Sequence, residues 1–293
     1  MAFSMSSSER QTPASATRSS HARAEGTAAC GIAVMAKASE AGRTKTRLVP
    51  PLSFDEAAAF NTAFLRDVAS SLIKAGAAAS IAPYMAFGPP GSESFFRRTL
   101  PADIGLMEVW FANFGDCLLE TIRALLERGH ASAVVLNSDS PTLPTSLLIA
   151  AAMALAQPGQ RAVLGPAHDG GYYLLGLKHA HRRMFEDIDW STSRVARQTL
   201  ERAAEIGLPV HVLPTWYDVD DVEALRTLHA ELCRAHSFDP ALRPRYPVHT
   251  AALVDSLLAE SDFADRIGVA GDVRARQPEL LANEMGDGTQ IIA

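Results

Sequence analysis

Segments with the apolar pattern of buried β-strands alternate with amphipathic helical segments along residues 30–234. A helix is predicted from Ser53 to Gly76, because Ser53 can cap it and Glu56 stands at the capping-box position. Strands are predicted at 30–36, 80–87, 106–111, 133–137, 162–164, 172–177 and 209–213, and further helices at 115–129, 145–156, 193–206 and 222–234. Pro83 predicts that the second strand lies at a sheet edge or begins late. The alternation predicts a single α/β domain, with a mainly parallel sheet and helices on both faces.

The two ends of the chain differ from this pattern in composition. Residues 1–28 are rich in Ser, Ala, Thr, Arg and Glu and have almost no large apolar side chain, which predicts a disordered N-terminal tail. Prolines cluster after residue 236, and only the short segment 250–260 is amphipathic. We therefore expect a domain over 29–236 and, over 237–293, an irregular, loosely attached extension with a short helix.

Charge and hydropathy narrow the class of protein. The net charge of −6 gives no electrostatic reason to expect nucleic acid as a partner. The chain contains no run of 18 apolar residues, so no membrane span is predicted. Three widely spaced cysteines form neither a CxxC pair nor an even disulfide set, which favours a reducing compartment. These features predict a cytoplasmic enzyme, and they leave its oligomeric state open.

The loop after the first strand concentrates positive charge in an acidic protein. It carries Gly42 and four cations within eleven residues, namely Lys37, Arg43, Lys45 and Arg47. The glycine lies three positions before Lys45, so the loop is not a Walker A motif, and no G-x-G-x-x-G follows the strand. Arginine and lysine suit phosphate groups. The loop is interpreted as a phosphate site, and a solvated loop without function is the alternative.

Acidic residues follow two later strands. Asp139 comes after the strand at 133–137, and Asp218 and Asp220 come after the strand at 209–213. A carboxylate in such a place can hold Mg²⁺ or Mn²⁺ while phosphate oxygens complete the shell. The alternatives are a turn or helix cap at Asp139 and a helix N-terminus after residue 217, a role that Asp221 fits best.

A third acidic site lies between two predicted strands. Asp169 is followed by Gly170 and Gly171, and a hairpin-like turn explains the glycines but not the aromatic pair that follows them. Ligands of α/β sheets bind at the carboxyl ends of the strands. Three acidic sites at strand ends, facing one basic loop, favour a functional interpretation over separate turns.

These residues, in this order, resemble the family often labelled DUF2064, a group of GT-A-like glycosyltransferases related to the molybdenum cofactor and phospholactate guanylyltransferases. The resemblance covers roughly residues 30–235. Where many relatives have prolines in the basic loop, this chain has Ser39 and Ala41, and Asn137 stands where the first acid of an Asp-x-Asp motif would be. The matching segments are Ala36-Lys37, Gly42-Arg43-x-Lys45-Thr46-Arg47-Leu48, Asn137-Ser-Asp139-Ser-Pro141, Gly165-Pro-x-x-Asp169-Gly170-Gly171-Tyr172-Tyr173, Trp190-Ser191-Thr192 and Asp218-Val-Asp220.

The resemblance implies a nucleotide-diphospho-sugar transferase fold and, combined with the residue types, a set of roles. The four cations would neutralise the phosphates, and Gly42 would let the loop backbone approach them closely. Asp139 and Asp220 would hold Mg²⁺ or Mn²⁺, and Asp218 would orient them. Lys45 and Asp169 are the catalytic candidates, with Asp169 binding an acceptor hydroxyl and acting as its base. Candidate sugar or acceptor contacts are Gly170, Gly171, Tyr172 and Trp190, although the two aromatic residues also suit a core; His168 is expected to be a loop residue.

Two enzymatic activities fit this set of residues. A glycosyltransferase would use a nucleotide-diphospho-sugar donor and a small-molecule acceptor, and a nucleotidyltransferase would use a nucleoside triphosphate and release pyrophosphate. Both need a metal-bound diphosphate as leaving group. We expect glycosyl transfer rather than nucleotidyl transfer. A nucleotide-binding protein without turnover is the third alternative.

Overall fold

The computed structural model describes residues 30–270. Its strands form one seven-stranded sheet in the order β3-β2-β1-β4-β6-β5-β7. The strands are β1 (Cys30–Lys37), β2 (Ile81–Gly88), β3 (Gly105–Glu108), β4 (Ser132–Leu136), β5 (Ala162–Pro166), β6 (Tyr172–Leu177) and β7 (Val210–Val212). The α-helices are α1 (Phe54–Ala78), α2 (Glu93–Thr99), α3 (Phe114–Glu127), α4 (Thr145–Ala156), α5 (Val195–Glu205), α6 (Val222–Leu232), α7 (Val248–Glu260) and α8 (Phe263–Arg266).

The sheet is mainly parallel, as the alternation predicts. Only β6 runs against its neighbours, since it pairs antiparallel with both β4 and β5. The reason is the short turn between β5 and β6, because a tight turn can join antiparallel strands but not parallel ones. All other neighbouring strands are parallel. Six strands therefore end at the same edge of the sheet.

Helices cover both faces of the sheet. One apolar core lies between the sheet and a layer that includes α1, α4, α6 and α7. A second core lies on the opposite face under α3 and α5. Ile32 and Val34 of β1 point into the first core and Ala33 into the second, as the alternation of side chains along a strand requires. The fold class predicted from the sequence is confirmed.

Local signals explain how several elements begin. The capping box at α1 is present: Ser53 Oγ accepts from the amide of Glu56 at 3.2 Å, and the Glu56 carboxylate accepts from the amide of Ser53 at 2.7 Å. Pro83 lies in β2, which is an interior strand. β3 pairs with β2 only from Tyr84 onward, so Pro83 precedes the part of β2 that has a neighbour on both sides. The helix α2 was not predicted, because it is short and buries only Phe96.

The segment after residue 236 differs from the expectation of a loose attachment. Its helix α7 packs on α1, and Thr250, Val254 and Phe263 are buried. The amides of His249 and Thr250, which have no partner within α7, donate to the fully buried carboxylate of Asp67 in α1. That anchor lies 183 residues earlier in the chain, so the local sequence cannot reveal it.

The predicted N-terminal tail lies outside the described residues. Of the helices within residues 30–270, none combines the length and apolar character needed to cross a membrane.

Candidate active site

The predicted site residues lie along the edge where the parallel strands end. The cationic loop, residues 37–47, begins at the end of β1, and Asp139 follows β4. The turn between β5 and β6 carries Asp169, and it is held to the segment after β7 by a bridge between Ala167 and Trp216. That segment continues into Asp218 and Asp220. The sheet thus places the four chain segments side by side, although Lys45 and Asp220 are 175 residues apart in sequence.

A cavity of about 380 Å³ opens at this edge. Its walls bring together seven of the predicted site residues: Lys37, Arg43, Lys45, Arg47, Asp139, Tyr172 and Asp220. Gly42, Asp169, Gly170, Gly171, Trp190 and Asp218 are not part of the cavity wall. The cationic loop and the two predicted metal ligands therefore share one cavity, while the other predicted residues lie beside it or behind it.

Lys45 joins the loop to both acids at the centre of the site. Its ammonium lies 2.8 Å from Asp139 Oδ1 and 2.8 Å from Asp220 Oδ1, and it donates to the carbonyl of Val219 at 2.8 Å. Only 5% of the side chain is exposed. Burial disfavours the charged amine, but the two carboxylates more than offset this effect and hold the pKa of Lys45 above its usual value. Lys45 is therefore a buried cation shared by two acids.

The loop reaches this arrangement through a fixed backbone. Lys45 has φ 52°, a left-handed conformation that costs a non-glycine residue about 1 kcal/mol. Asn61 of α1 donates to the carbonyl of Lys37 and to Ser39 Oγ. Thr62 also donates to Ser39 Oγ at 2.7 Å. Ser39, at a position where many relatives have proline, thus ties the loop to α1 by side-chain hydrogen bonds.

The other cations of the loop face solvent. Arg43 pairs with Glu40 at 3.3 Å with most of its side chain exposed. Arg47 lies 3.6 Å from Asp220 Oδ2 and is also largely exposed. Pairs of this kind contribute little to stability. Both guanidinium groups and the exposed Lys37 can therefore turn toward an anion in the cavity at small cost.

Four carboxylates lie close enough to act on one another: Asp139, Asp169, Asp218 and Asp220. Burial first, and then the neighbouring carboxylates of Asp169, Asp220 and Asp139, raise the pKa of Asp218 to about 7. The group of acids thus carries more negative charge than the one buried lysine neutralises. Asp221 is not part of this group, because its side chain caps α6 by accepting from the amide of Ala224 at 2.8 Å.

The β5–β6 turn forms as the sequence predicts. Gly170 has φ 90°, and the Asp169 carboxylate accepts from the amide of Gly171 at 2.8 Å. A side chain at Gly170 would collide with the backbone of Ser193 at 2.2 Å, so glycine is required there. His168 packs against the ring of Phe238. Tyr172 has a buried hydroxyl without a hydrogen-bond partner in the described structure, and burial raises its pKa.

Asn61 and Phe114 are among the residues of the cavity wall that the sequence reasoning missed. Asn61 is buried on the inner side of α1, and its signal was a polar residue within an otherwise apolar helical pattern. Phe114 is the first residue of α3, and it lines the same cavity as the cationic loop and Asp139. Its signal was the concentration of aromatic residues at 110–114, which suits a surface poorly.

The acids also permit a test of the predicted metal. No three of the His, Cys, Asp or Glu side chains in residues 30–270 form a metal-binding group. Asp139 and Asp220 nevertheless converge on one cation, the Lys45 ammonium. Two carboxylates suffice for Mg²⁺ or Mn²⁺ where phosphates and waters supply the other oxygens. The pair fits such an ion, provided that Lys45 leaves the position between the acids.

The sequence model of the family described as "Uncharacterized protein conserved in bacteria (DUF2064)" matches residues 71–192, so the resemblance seen in the motifs is confirmed over that part of the chain. A protein of Desulfovibrio desulfuricans G20, provisionally named a nucleotide-diphospho-sugar transferase, has a similar crystal structure. It is 26% identical, with a TM-score of 0.67 over 80% of this chain and 96% of that chain. The fold is thus that of the nucleotide-diphospho-sugar transferases.

A more distant structural match is the 4-diphosphocytidyl-2C-methyl-D-erythritol synthase of Anaerococcus prevotii DSM 20548. It is 11% identical, with a TM-score of 0.45 over 69% of this chain and 98% of that chain. A search of curated proteins finds no significant match.

Proposed function

We propose that this protein is a glycosyltransferase that takes a sugar from a nucleotide-diphospho-sugar, with the help of a divalent cation, and transfers it to a small-molecule acceptor. The observation that carries the proposal is the buried Lys45, held between Asp139 and Asp220 in a cavity lined by the cationic loop. One cavity thereby offers both cations for a diphosphate and acids for its metal. The similarity to a protein named as a transferase of this kind supports the proposal.

The cationic loop supports recognition of a diphosphate. Lys37, Arg43 and Arg47 line the cavity without being committed to strong ion pairs. A diphosphate brings at least two negative charges, which these side chains can neutralise with charge-assisted hydrogen bonds. Arginine can also bind two phosphate oxygens at once. The loop would therefore hold the diphosphate before and after transfer and stabilise it as a leaving group.

Asp139 and Asp220 would hold the divalent cation. Such an ion neutralises the charge that builds up on a departing diphosphate. Since Lys45 lies between the same two carboxylates, its ammonium would have to leave them when they hold an ion, and it would then be free to contact a phosphate oxygen. Binding of the ion and of the diphosphate should thus reinforce each other, because one movement of Lys45 serves both.

The acceptor would bind on the acidic side of the cavity. Asp169 lies on the β5–β6 turn at the same edge, and its charge acts on Asp218. A carboxylate there can accept a hydrogen bond from an acceptor hydroxyl and remove its proton as the hydroxyl attacks the sugar. We assign this role to Asp169, with Asp218 as the residue that orients the acidic group.

Nucleotidyl transfer is the competing reaction for the same residues. It would break the bond next to the α-phosphate of a nucleoside triphosphate and release pyrophosphate, whereas glycosyl transfer releases a nucleoside diphosphate. The released product therefore separates the two activities. The provisional name of the Desulfovibrio protein favours glycosyl transfer.

Thermal unfolding in the presence of ligands tests the proposal. The full-length protein is scanned with UDP-, GDP- and dTDP-sugars and with the four nucleoside triphosphates, each with Mg²⁺, with Mn²⁺ or with EDTA. At least one nucleotide-sugar should raise the midpoint by mass action, and more so with metal. Stabilisation by triphosphates alone, with pyrophosphate release, would replace glycosyl by nucleotidyl transfer. No stabilisation by any nucleotide would refute both.

Substitution of the acids sharpens this test. Asp139→Asn and Asp220→Asn should lose the metal-dependent part of the stabilisation, because each removes a charged oxygen ligand. Asp221→Asn is the matched control, since Asp221 is adjacent in sequence but caps α6, and asparagine caps equally well. Equal behaviour of Asp220→Asn and Asp221→Asn would contradict the metal assignment.

A further inference from the structure

Three aromatic side chains are exposed in one short loop beside the cavity. Trp110, Phe111 and Phe114, in the connection from β3 to α3, are 48%, 46% and 51% exposed. Exposed aromatic residues grouped so closely usually mark a binding surface, because the exposure of large apolar side chains to water is unfavourable. Of the three, Phe114 lines the same cavity as the cationic loop.

The ring of Phe114 is supported from behind. Trp190 meets it edge to face, with ring centroids 5.4 Å apart and an interplanar angle of 86°. Trp190 comes this close because Gly115 leaves room for it: a Cβ at Gly115 would lie 3.0 Å from the indole ring. A ring held in this way keeps its orientation, so little conformational entropy is lost when a ligand stacks on it.

Trp110 lies in the loop after β3, four residues before Phe114. Its indole covers the backbone of Gly88, where a Cβ would collide with the ring at 2.1 Å. Gly88 is in turn the parallel neighbour of Lys37, the first cation of the loop. The aromatic surface therefore adjoins the cationic loop directly.

The strand order places aromatic, cationic and acidic residues in succession along the edge of the sheet. The aromatic loop follows β3 at one end, the cationic loop follows β1, and the acids follow β4, β5 and β7. A nucleotide-diphospho-sugar also has three parts in a row, namely a flat base, a diphosphate and a sugar rich in hydroxyl groups. With the diphosphate on the cationic loop and the hydroxyl groups near the acids, the base points to the aromatic loop.

We propose that Phe114, backed by Trp190 and flanked by Trp110, is the stacking surface for the nucleobase of the substrate. The proposal rests on the proposed function, since it assumes that a nucleoside diphosphate occupies the cavity. Every base offers a flat π-face, so this contact contributes affinity for nucleosides in general. Trp190 acts through Phe114 in this arrangement and is a positioning residue.

Comparison of three ligands in Phe114→Ala tests the proposal. Affinities for UDP, GDP and pyrophosphate are measured by calorimetry with Mg²⁺ on the full-length protein. The variant should lose about tenfold in affinity for UDP and GDP, as expected for one base–aromatic contact, and keep its affinity for pyrophosphate. Phe114→Tyr should restore nucleotide binding, because it keeps the ring.

Phe54→Ala is the matched control, since Phe54 has the same 51% exposure but lies outside the cavity wall. It should leave all three affinities unchanged. Equal losses for pyrophosphate and nucleotides in Phe114→Ala, or no loss at all, would overturn the stacking proposal. UDP-glucose is titrated as a fourth ligand, and a loss of affinity for it without a loss for UDP would also overturn the proposal, because the ring would then contact the sugar.

Failure of this inference is distinguishable from failure of the proposed function. If the unaltered protein binds pyrophosphate and UDP with equal affinity, the base adds nothing and the stacking proposal fails while the phosphate site stands. If the unaltered protein binds neither pyrophosphate nor any nucleotide, the proposed function itself fails, and the stacking proposal with it.

Discussion

Lys45 determines the charge balance of the site at the level of single residues. It is the buried cation between Asp139 and Asp220 in the described site, where we propose that a divalent ion binds. A substrate-free protein with Lys45 in place has little need of a divalent cation. Removal of the Lys45 ammonium should therefore change the affinity for metal and the affinity for phosphate in opposite directions.

Lys45→Met should raise the affinity for Mn²⁺ in the absence of nucleotide and lower the affinity for pyrophosphate. The Mn²⁺ affinity should rise because the competing ammonium is lost. The pyrophosphate affinity should fall because a phosphate contact is lost. Each should be on the order of tenfold, since a hydrogen bond to a charged group contributes about 1.5 kcal/mol. Mn²⁺ binding is measured by electron paramagnetic resonance. Arg47→Met, which removes an exposed cation 3.6 Å from Asp220, should show only a small effect on metal.

Asp218 should make the protein less stable as the pH rises. Its pKa is about 7 in the folded state, against about 4 for an aspartate in an unfolded chain. Between these values the folded state holds a proton that the unfolded state has released, so stability falls as the pH increases from about 4 to about 7. Asp218→Asn should abolish this loss and, in EDTA, be more stable than the unaltered protein at pH 8 by roughly 2 kcal/mol.

Denaturant unfolding at pH 4.5 and pH 8 measures the effect of Asp218→Asn. The advantage of the variant should be larger at pH 8 than at pH 4.5. Asp221→Asn should show no such difference, because its side chain caps a helix at the surface. An advantage of Asp218→Asn that is independent of pH would contradict the raised pKa.

Charged residues of the site were more predictable than its apolar ones. Lys45, Asp139 and Asp220 stand in loops that directly follow strands, and the edge of a parallel sheet brings such loops together whatever their length. That Lys45 bridges the two acids was not predictable, because the bridge depends on the left-handed backbone of that residue. Phe114 was missed because an aromatic side chain at a helix start has the same sequence signal as a core residue.

At the level of secondary structure, the joint between α1 and α7 depends on one buried carboxylate. Asp67 is completely buried and accepts from two amides of α7 and from the Thr250 hydroxyl at 2.7 Å. Arg245, itself buried, lies 3.7 Å away. A helix N-terminus favours negative charge, so this carboxylate serves as a cap supplied by another helix.

Asp67→Ala should destabilise the protein by about 3 kcal/mol, because it leaves the first turn of α7 and Arg245 without their acceptor. The free energy of unfolding is measured in urea. Asp255→Ala removes an exposed carboxylate from α7 itself and should change the free energy little. An equally small effect of both substitutions would show that α7 is held by apolar contacts alone.

Helices and strands with strong local signals were predicted closely. The helix α4 and the strand β6 have the predicted bounds, and the capping box of α1 is formed. The helix α2 lacked such a signal, since it has seven residues and one buried side chain. Nothing local to residues 248–260 indicated their firm attachment, which Asp67 and the facing surface of α1 provide.

At the level of the whole molecule, the segment after residue 236 completes the first core. Val254, Phe263 and Ile267 are buried there, and the rings of Phe263 and Phe60 of α1 lie 6.1 Å apart. Burial of three such side chains contributes about 6 kcal/mol, which is comparable to the entire stability of many domains. The segment is thus part of the domain's core.

A chain that ends at residue 236 should therefore lack a cooperative thermal transition or be insoluble. Removal of residues 1–28, which the sequence predicts to be a disordered tail, should leave the midpoint unchanged. Both truncated chains are compared with the full chain by calorimetry and circular dichroism. An unaltered midpoint in the chain that ends at residue 236 would refute the role of this segment in the core.

The overall architecture was predictable as a class but not in its strand order. Alternating apolar patterns identify a mainly parallel sheet, because only buried strands and covering helices produce them. The order β3-β2-β1-β4-β6-β5-β7 depends on contacts between distant segments, which no local pattern encodes. The reversed β6 follows from the short turn around Gly170, yet its place between β4 and β5 required the structure.

The ion pairs of Lys45 also have a consequence for protein synthesis. Lys45 meets Asp220, 175 residues later, and both must be present before the site exists. A nascent chain on the ribosome that has released only β1 to β4 would bury a cation without its second partner. The amino-terminal half thus has an electrostatic reason to stay open during translation, and substrate binding must wait until the segment after β7 has emerged.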